Sequence, residues 1–236
     1  ATDNIGLQKL ELGTPLLANG LPDSYEKLLE YIVDSEHPLT VCILENVQAS
    51  VENEIEAEIV ARLSVLLRNN LLSEDGKHYL DNEEGDRKFW KDGLFIVSPH
   101  HSQIKTIHNH LDSLRSWNHY PFVDTVDKMQ GQESQAVIVS YGVSDIETAL
   151  TEAEFIYSLN RLNVSVTRAR SKCVLFLPRP LLEPSVELLQ NEDASNGLHH
   201  MLNLIEFCRR HGNEESFKLD ISGRTGVYLT VLRGKY

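Results

Sequence analysis

The stretch "NRLNVSVTRARSKCVLFLPR", residues 160–179, holds five basic residues and no acidic one in a chain whose formal charge is −13. Arg161, Arg168 and Arg170 precede the apolar run Val174–Leu177, which reads as a buried strand. A planar, permanent cation suits phosphate charge; the plainer use of such an arginine is to cap a helix C-terminus or pair with a surface carboxylate. Two other stretches offer compatible groups. "TVDKMQGQE" (125–133) brings a hydroxyl at Thr125, carboxylates at Asp127 and Glu133, an amide at Gln130 and a turn-forming glycine at Gly131. "VSPHHSQ" (97–103) brings Ser98, Pro99, His100 and Gln103 to the entrance of a helix. A hydroxyl, an amide and a flat ring suit phosphate oxygens and stacked bases without reading sequence.

No complete catalytic site accompanies them. Gly76-Lys77 and Gly234-Lys235 lack the earlier glycine and the following Ser or Thr of a phosphate-cradling loop, and GxSxG is absent. No strand ends in a pair of acids for Mg²⁺. The basic cluster is therefore expected to work with a second domain, and this chain alone to be inactive.

The elements that must hold these groups follow from periodicity. A helix is expected near Ser24–Val33 with Ser24 as its cap, after turn signals at Gly13-Thr14-Pro15, Asn19-Gly20 and Pro22. Strands are expected at 40–47, 94–98, 122–126, 136–142 and 173–177. Helices are expected through Ile55, Ile59, Leu63, Leu66 and Leu67, over His101–Leu114, and over most of Glu152–Thr167. Residues 73–93, polar and acidic, read as a surface loop or small insertion. Two helices follow from 184 to 212, then a hairpin of 217–221 with 226–232. Apolar strands without alternation, separated by helices, indicate an α/β fold whose mainly parallel sheet is covered on both faces.

The 236 residues suffice for one large or two small domains, at 41% hydrophobic and 24% charged residues. No stretch approaches the roughly 18 apolar residues of a membrane span, and the N-terminus lacks the features of a secretory signal. It also lacks an initiator Met, so a piece of a longer protein is expected. Three scattered cysteines fit a reducing, intracellular compartment. His199, His200, Cys208 and His211 share a helical face, but their spacing matches no zinc pattern, and no metal site is assigned. The acidic total argues against nucleic-acid binding over the whole surface, not against a local basic patch.

Taken together, "TVDKMQGQE", "NRLNVSVTRAR…VLF", "SPHHSQ" and "NEIEA" (53–57) resemble motifs of the second RecA-like domain of superfamily 1 helicases. The similarity is to the branch that contains senataxin and the nonsense-mediated-decay helicase, and it covers about residues 40–180. It implies a three-layer RecA-like P-loop NTPase fold at 40–180, with a lead-in at 1–39 and a helical and hairpin extension at 181–236. It implies ATP as the nucleotide, with Mg²⁺ held by a preceding RecA-like domain, and single-stranded DNA or RNA as the partner. By the same resemblance Arg168 is the arginine finger. Gln130, Gly131, Glu133 and Arg170 face the nucleotide, and Ser98, Pro99, His100, Gln103, Thr125 and Asp127 line the strand's track. Arg161 and Arg170 have a second reading, tying the helix to the sheet through carboxylates. One departure stands out. Some relatives carry an arginine facing the γ-phosphate at the position of Glu54, where a carboxylate cannot serve, and a hydrolysis-deficient scaffold is the alternative reading.

Overall fold

The computed structural model describes residues 9–13, 23–47, 49, 51–129, 131–183, 185–221 and 224–235. The turn signals from Thr14 to Pro22, the side chain of Ser24 and all of Gln130 lie outside the described residues.

Along the chain run α1 (Asp23–Val33), β1 (Leu39–Glu45), α2 (Glu54–Asn70), α3 (Glu83–Lys88), β2 (Leu94–Val97), α4 (His101–Leu114), β3 (Val123–Asp124) and β4 (Ser134–Ser140). Then come α5 (Ile146–Thr151), α6 (Ala153–Ile156), α7 (Leu159–Thr167), β5 (Ala169–Pro178), α8 (Val186–Gln190), α9 (Glu192–His211), β6 (Gly212–Ile221) and β7 (Arg224–Gly234). The strands form one seven-stranded sheet in the order β3-β2-β4-β5-β1-β7-β6. The first five run parallel, and β7 and β6 continue the sheet antiparallel from β1.

Period-two alternation sends successive strand residues to opposite faces, and both faces are covered. Cys42, Leu44, Ile96, Ile138, Val174 and Phe176 meet Leu28 of α1, Ile55 and Ile59 of α2 and Ile107 of α4. Val41, Ile43, Val97, Val139, Leu175 and Leu177 meet Leu162 of α7 and Leu198, Met201 and Ile205 of α9. Burial on both sides is why the strands read as unbroken apolar runs. The architecture is the three-layer, RecA-like α/β fold expected.

Two expectations need correction. Residues 73–93 are not only a surface loop: α3 and a π-turn at Phe89–Gly93 lie within them, and Phe89, Trp90 and Asp86 are buried. The strand at 122–126 shrinks to Val123–Asp124, because the chain turns into a 3₁₀ segment at Val126–Met129 that crosses back over the sheet. Most of 152–167 is helical as expected, in two pieces, α6 and α7, with Ser158 capping the latter by accepting from the Arg161 N–H. Lys172, one of the five bases of the opening stretch, turns inward. Its Nζ donates to the carbonyls of Asp34 (2.9 Å) and His37 (2.6 Å) beyond α1, and burial pushes its pKa down to about 7.

Among the described residues no helix is long and apolar enough to cross a membrane. Nor do three His, Cys, Asp or Glu side chains gather there into a cation site.

Candidate nucleotide and nucleic-acid sites

The candidate residues divide between the two ends of the parallel strands. At the N-terminal ends of β4 and β5, Ser134 pairs with Ala169, and the Ser134 N–H donates to the Arg168 carbonyl at 3.0 Å. Glu133 and Arg168 are thus brought side by side from "TVDKMQGQE" and from the end of α7. Arg168 is the C-cap residue of α7, its N–H bonded to Val164 O. Among the described residues no carboxylate pairs with its guanidinium, and its Nε is buried without a partner. The Ser134 hydroxyl beside it is also buried and unpartnered. Glu133 is exposed, and no described residue engages its carboxylate. Gly131 has φ 77° with open space around it, so only glycine fits that turn without strain. A free cation, a free acceptor and an orphaned hydroxyl on one rigid edge fit a polyphosphate and a ribose hydroxyl.

Arg170 is differently placed. Its guanidinium pairs with Glu74 and donates to Asp92 O at 3.2 Å, tying β5 to the 73–93 segment. That is the tethering role, and it leaves the side chain little to offer a nucleotide.

At the C-terminal ends of β2 and β3, Ser98, Pro99, Thr125 and Asp127 line one cleft with Phe155 and Arg161. The Ser98 N–H donates to Asp124 O (3.1 Å), which sets the two segments in register, and the Ser98 hydroxyl is buried without a partner. Arg161 closes the cleft. It lies 3.4 Å from Asp127 and stacks 3.9 Å above the Phe155 ring. His100 caps α4 from the neighbouring hollow, largely buried against Glu152 (3.5 Å), so its ring presents no open face for a base.

Gln103 is fully buried in a network that sequence reasoning missed. Its Oε1 accepts from the Asn53 N–H (2.7 Å) and its Nε2 donates to the Ser140 hydroxyl (3.0 Å). That hydroxyl donates to Glu56 (2.7 Å), which also accepts from the Gly142 N–H (3.0 Å). Asn53 caps α2 by accepting from the Glu56 N–H (3.1 Å). A Cβ on Gly142, at φ 70°, would meet the Gln103 side chain at 2.7 Å. Gln103 therefore positions α2, α4 and the end of β4, and it has no surface for a strand. Residues of "NEIEA" carried the signal, as a helix start with an inward-facing acid.

Burial raises Glu56 from an ordinary 4.5 to about 7, against the lowering effect of its hydrogen bonds. The folded state thus keeps a proton that the unfolded chain releases between about pH 4.5 and 7, and stability falls as pH rises through that window. Urea midpoints at pH 5 and pH 7.5 should show this fall in the wild type and a flatter profile in Glu56→Gln. Equal pH slopes in the two proteins would remove Glu56 as the cause.

Glu54 needs a separate statement. It begins α2 at the C-terminal end of the sheet and pairs with His110 at 2.8 Å. Arg168 sits at the other end of β4, a seven-residue strand, which spans about 20 Å. Glu54 does not share a site with Arg168, so its charge does not bear on phosphate held there.

The family model described as "AAA domain" (AAA_12) matches residues 29–177. The chain belongs to this AAA-domain family. The match spans all five parallel strands and both candidate sites, and the AAA domain is one of superfamily 1 helicase type. Among curated proteins, the DNA replication ATP-dependent helicase/nuclease dna2 of Schizosaccharomyces pombe is 24% identical over 208 residues, 86% of this chain and 13% of its own length. The human DNA2 protein of the same description is 37% identical over 105 residues, 44% of this chain and 9% of its own. That of Xenopus tropicalis is 36% identical over 80 residues, 34% of this chain and 7% of its own. The chain thus spans at most about an eighth of the length of these relatives.

Proposed function

We propose that this AAA domain is the second motor domain of an ATP-dependent helicase or translocase acting on single-stranded DNA. The observation that carries the reading is the separation of two sites at opposite ends of β4: Arg168 beside Glu133 at one, the Ser98–Thr125–Asp127 cleft at the other. A rigid strand between them lets closure of a nucleotide cleft displace a bound strand. Arg168 supplies fixed positive charge to a transferring phosphoryl group, Glu133 accepts a ribose hydroxyl, and the Thr125 hydroxyl meets strand phosphates. Mg²⁺ would arrive with ATP on a preceding RecA-like domain that carries the phosphate loop. DNA as the strand rests on the descriptions of the relatives. The narrower placement beside senataxin and the nonsense-mediated-decay helicase, with 5′→3′ movement, rests on the motifs alone. Three free, buried cysteines support a reducing intracellular setting. The scaffold reading draws on Glu54; its pairing with His110 at the far end of the sheet from Arg168 favours the motor reading.

Two measurements test this. The chain by itself should turn over no ATP; steady hydrolysis abolished by Arg168→Ala would show a complete site within it and sink the two-domain reading. Single-strand affinity should fall at least about tenfold between about 50 and 200 mM salt, with little base preference. Tight, sequence-specific duplex binding would be incompatible with a motor track.

A further inference from the structure

A second cleft lies at the β3 edge of the sheet, where Gln132 adjoins Glu133 and Asp124 adjoins Thr125 but no residue of either candidate site lines it. Arg87, Trp90, Lys91, His119, Tyr120 and Gln132 line it. Tyr120 is 74% exposed, the most exposed large apolar side chain among the described residues. His108 backs one face of its ring at 4.6 Å and 28° between planes, so the ring is held as a platform with its far face open. Trp90 is buried, yet its Nε1 donor finds no partner, whereas the Nε1 of neighbouring Trp117 is satisfied by Leu111 O at 3.1 Å.

The charges point the same way. In the 73–93 segment Glu74 pairs with Arg170, Asp81 with Arg115 and Asp86 with Arg68, while Asp75 engages both Lys77 and Lys88. Arg87 and Lys91 are exposed and, among the described residues, their side chains make no ion pair or hydrogen bond. Asp124 is the acid lining the cleft, and its Oδ1 is occupied by the Thr125 N–H at 2.7 Å. Two uncommitted cations and an open aromatic face converge here, in a chain of net charge −13.

We infer that this cleft binds a nucleotide unit, with its base stacked on Tyr120 and its phosphate held by Arg87 and Lys91. The unit comes from a single strand or from a free nucleotide. The site adds to the proposed motor function and does not depend on it.

The two tryptophans of the chain, Trp90 and Trp117, are in ring contact at 5.0 Å, so tryptophan emission reports on this cleft, while neither tryptophan lines the track. Titration with oligo(dT) in one arm, and with dTMP and ATP in the other, is expected to quench that emission in at least one arm. Tyr120→Ala and the pair Arg87→Ala with Lys91→Ala should each raise the apparent Kd about tenfold with an unchanged melting midpoint, since all three side chains are exposed. Quenching by oligo(dT) alone identifies a strand as the source; quenching by a mononucleotide identifies a free nucleotide. No quenching in either arm, or quenching indifferent to these substitutions, overturns the site. If the motor track fails instead, quenching persists with its dependence on Tyr120, so the two failures are distinguishable.

Discussion

Replacing Arg168 by Ala in the full-length protein is expected, on the proposed two-domain reading, to lower kcat for ATP hydrolysis by about 10³-fold or more. The melting midpoint should move by no more than about one or two degrees. The two halves of this expectation have separate causes. Stability is spared because the guanidinium has no carboxylate to leave behind: among the described residues it pairs with none, and its Nε already lacks a partner. The contacts that fix the residue are made by its backbone, through Val164 O and the Ser134 N–H, and Ala keeps both. Turnover suffers because a cation facing a phosphoryl group acts mainly on charge that develops in the transition state. Arg168→Lys should rescue little, since it keeps the charge but loses the planar fork. A lowered midpoint with unchanged kcat per folded molecule would make Arg168 a structural residue.

The largest loss of stability is expected from Asp86→Ala. Asp86 is fully buried between Arg68 Nε (2.8 Å), the Asn118 N–H (2.8 Å) and Asn118 Nδ2 (3.1 Å). Two further N–H groups of Arg68 donate to the carbonyls of Tyr79 (3.2 Å) and Leu80 (2.6 Å). Removing the carboxylate leaves a guanidinium in a low-dielectric site without its hydrogen-bonded counter-charge, at a cost of about 3–5 kcal/mol. Burial already disfavours the charged form of Arg68, and Asp86 is the chief influence opposing it. Urea unfolding should show a lower midpoint with little change in slope. Arg68→Met combined with Asp86→Leu should cost less than Asp86→Ala alone, because no charge is then stranded. A loss below about 1 kcal/mol for Asp86→Ala would mean that water reaches Arg68.

That ion pair also shows where the sequence stops being readable. The strands, α4 and the neighbourhood of Arg168 were legible because each depends on a local signal: an unbroken apolar run, 3.6 spacing, or a cation set directly before an apolar strand. Asp86 sits in a run of acids and glycines that looks like solvated loop. Only Phe89 and Trp90, an apolar pair three residues on, hinted that the run folds back into the core. Gln103 was misread for a related reason. Its partners lie 37 and 50 residues away at Ser140 and Asn53, and neither contact leaves a periodic trace. The same distance hid the real position of Glu54. A motif can show which residues share a task in relatives, but the end of the sheet each occupies is a property of topology. Here β4 separates them.

The pairing of β7 with β1 carries a consequence for biosynthesis. Residues Leu39–Glu45 find their antiparallel partners at Tyr228–Gly234. The β1 edge facing away from β5 therefore stays open until almost the whole domain has left the ribosome. At about 5–20 residues per second, that interval is roughly 10–40 s. During it an apolar strand presents unsatisfied N–H and C=O groups to any neighbouring chain. The nascent domain thus depends on chaperone cover or fast dilution, and a premature stop between β5 and β7 would yield a product that is aggregation-prone even though every residue of both candidate sites has been made.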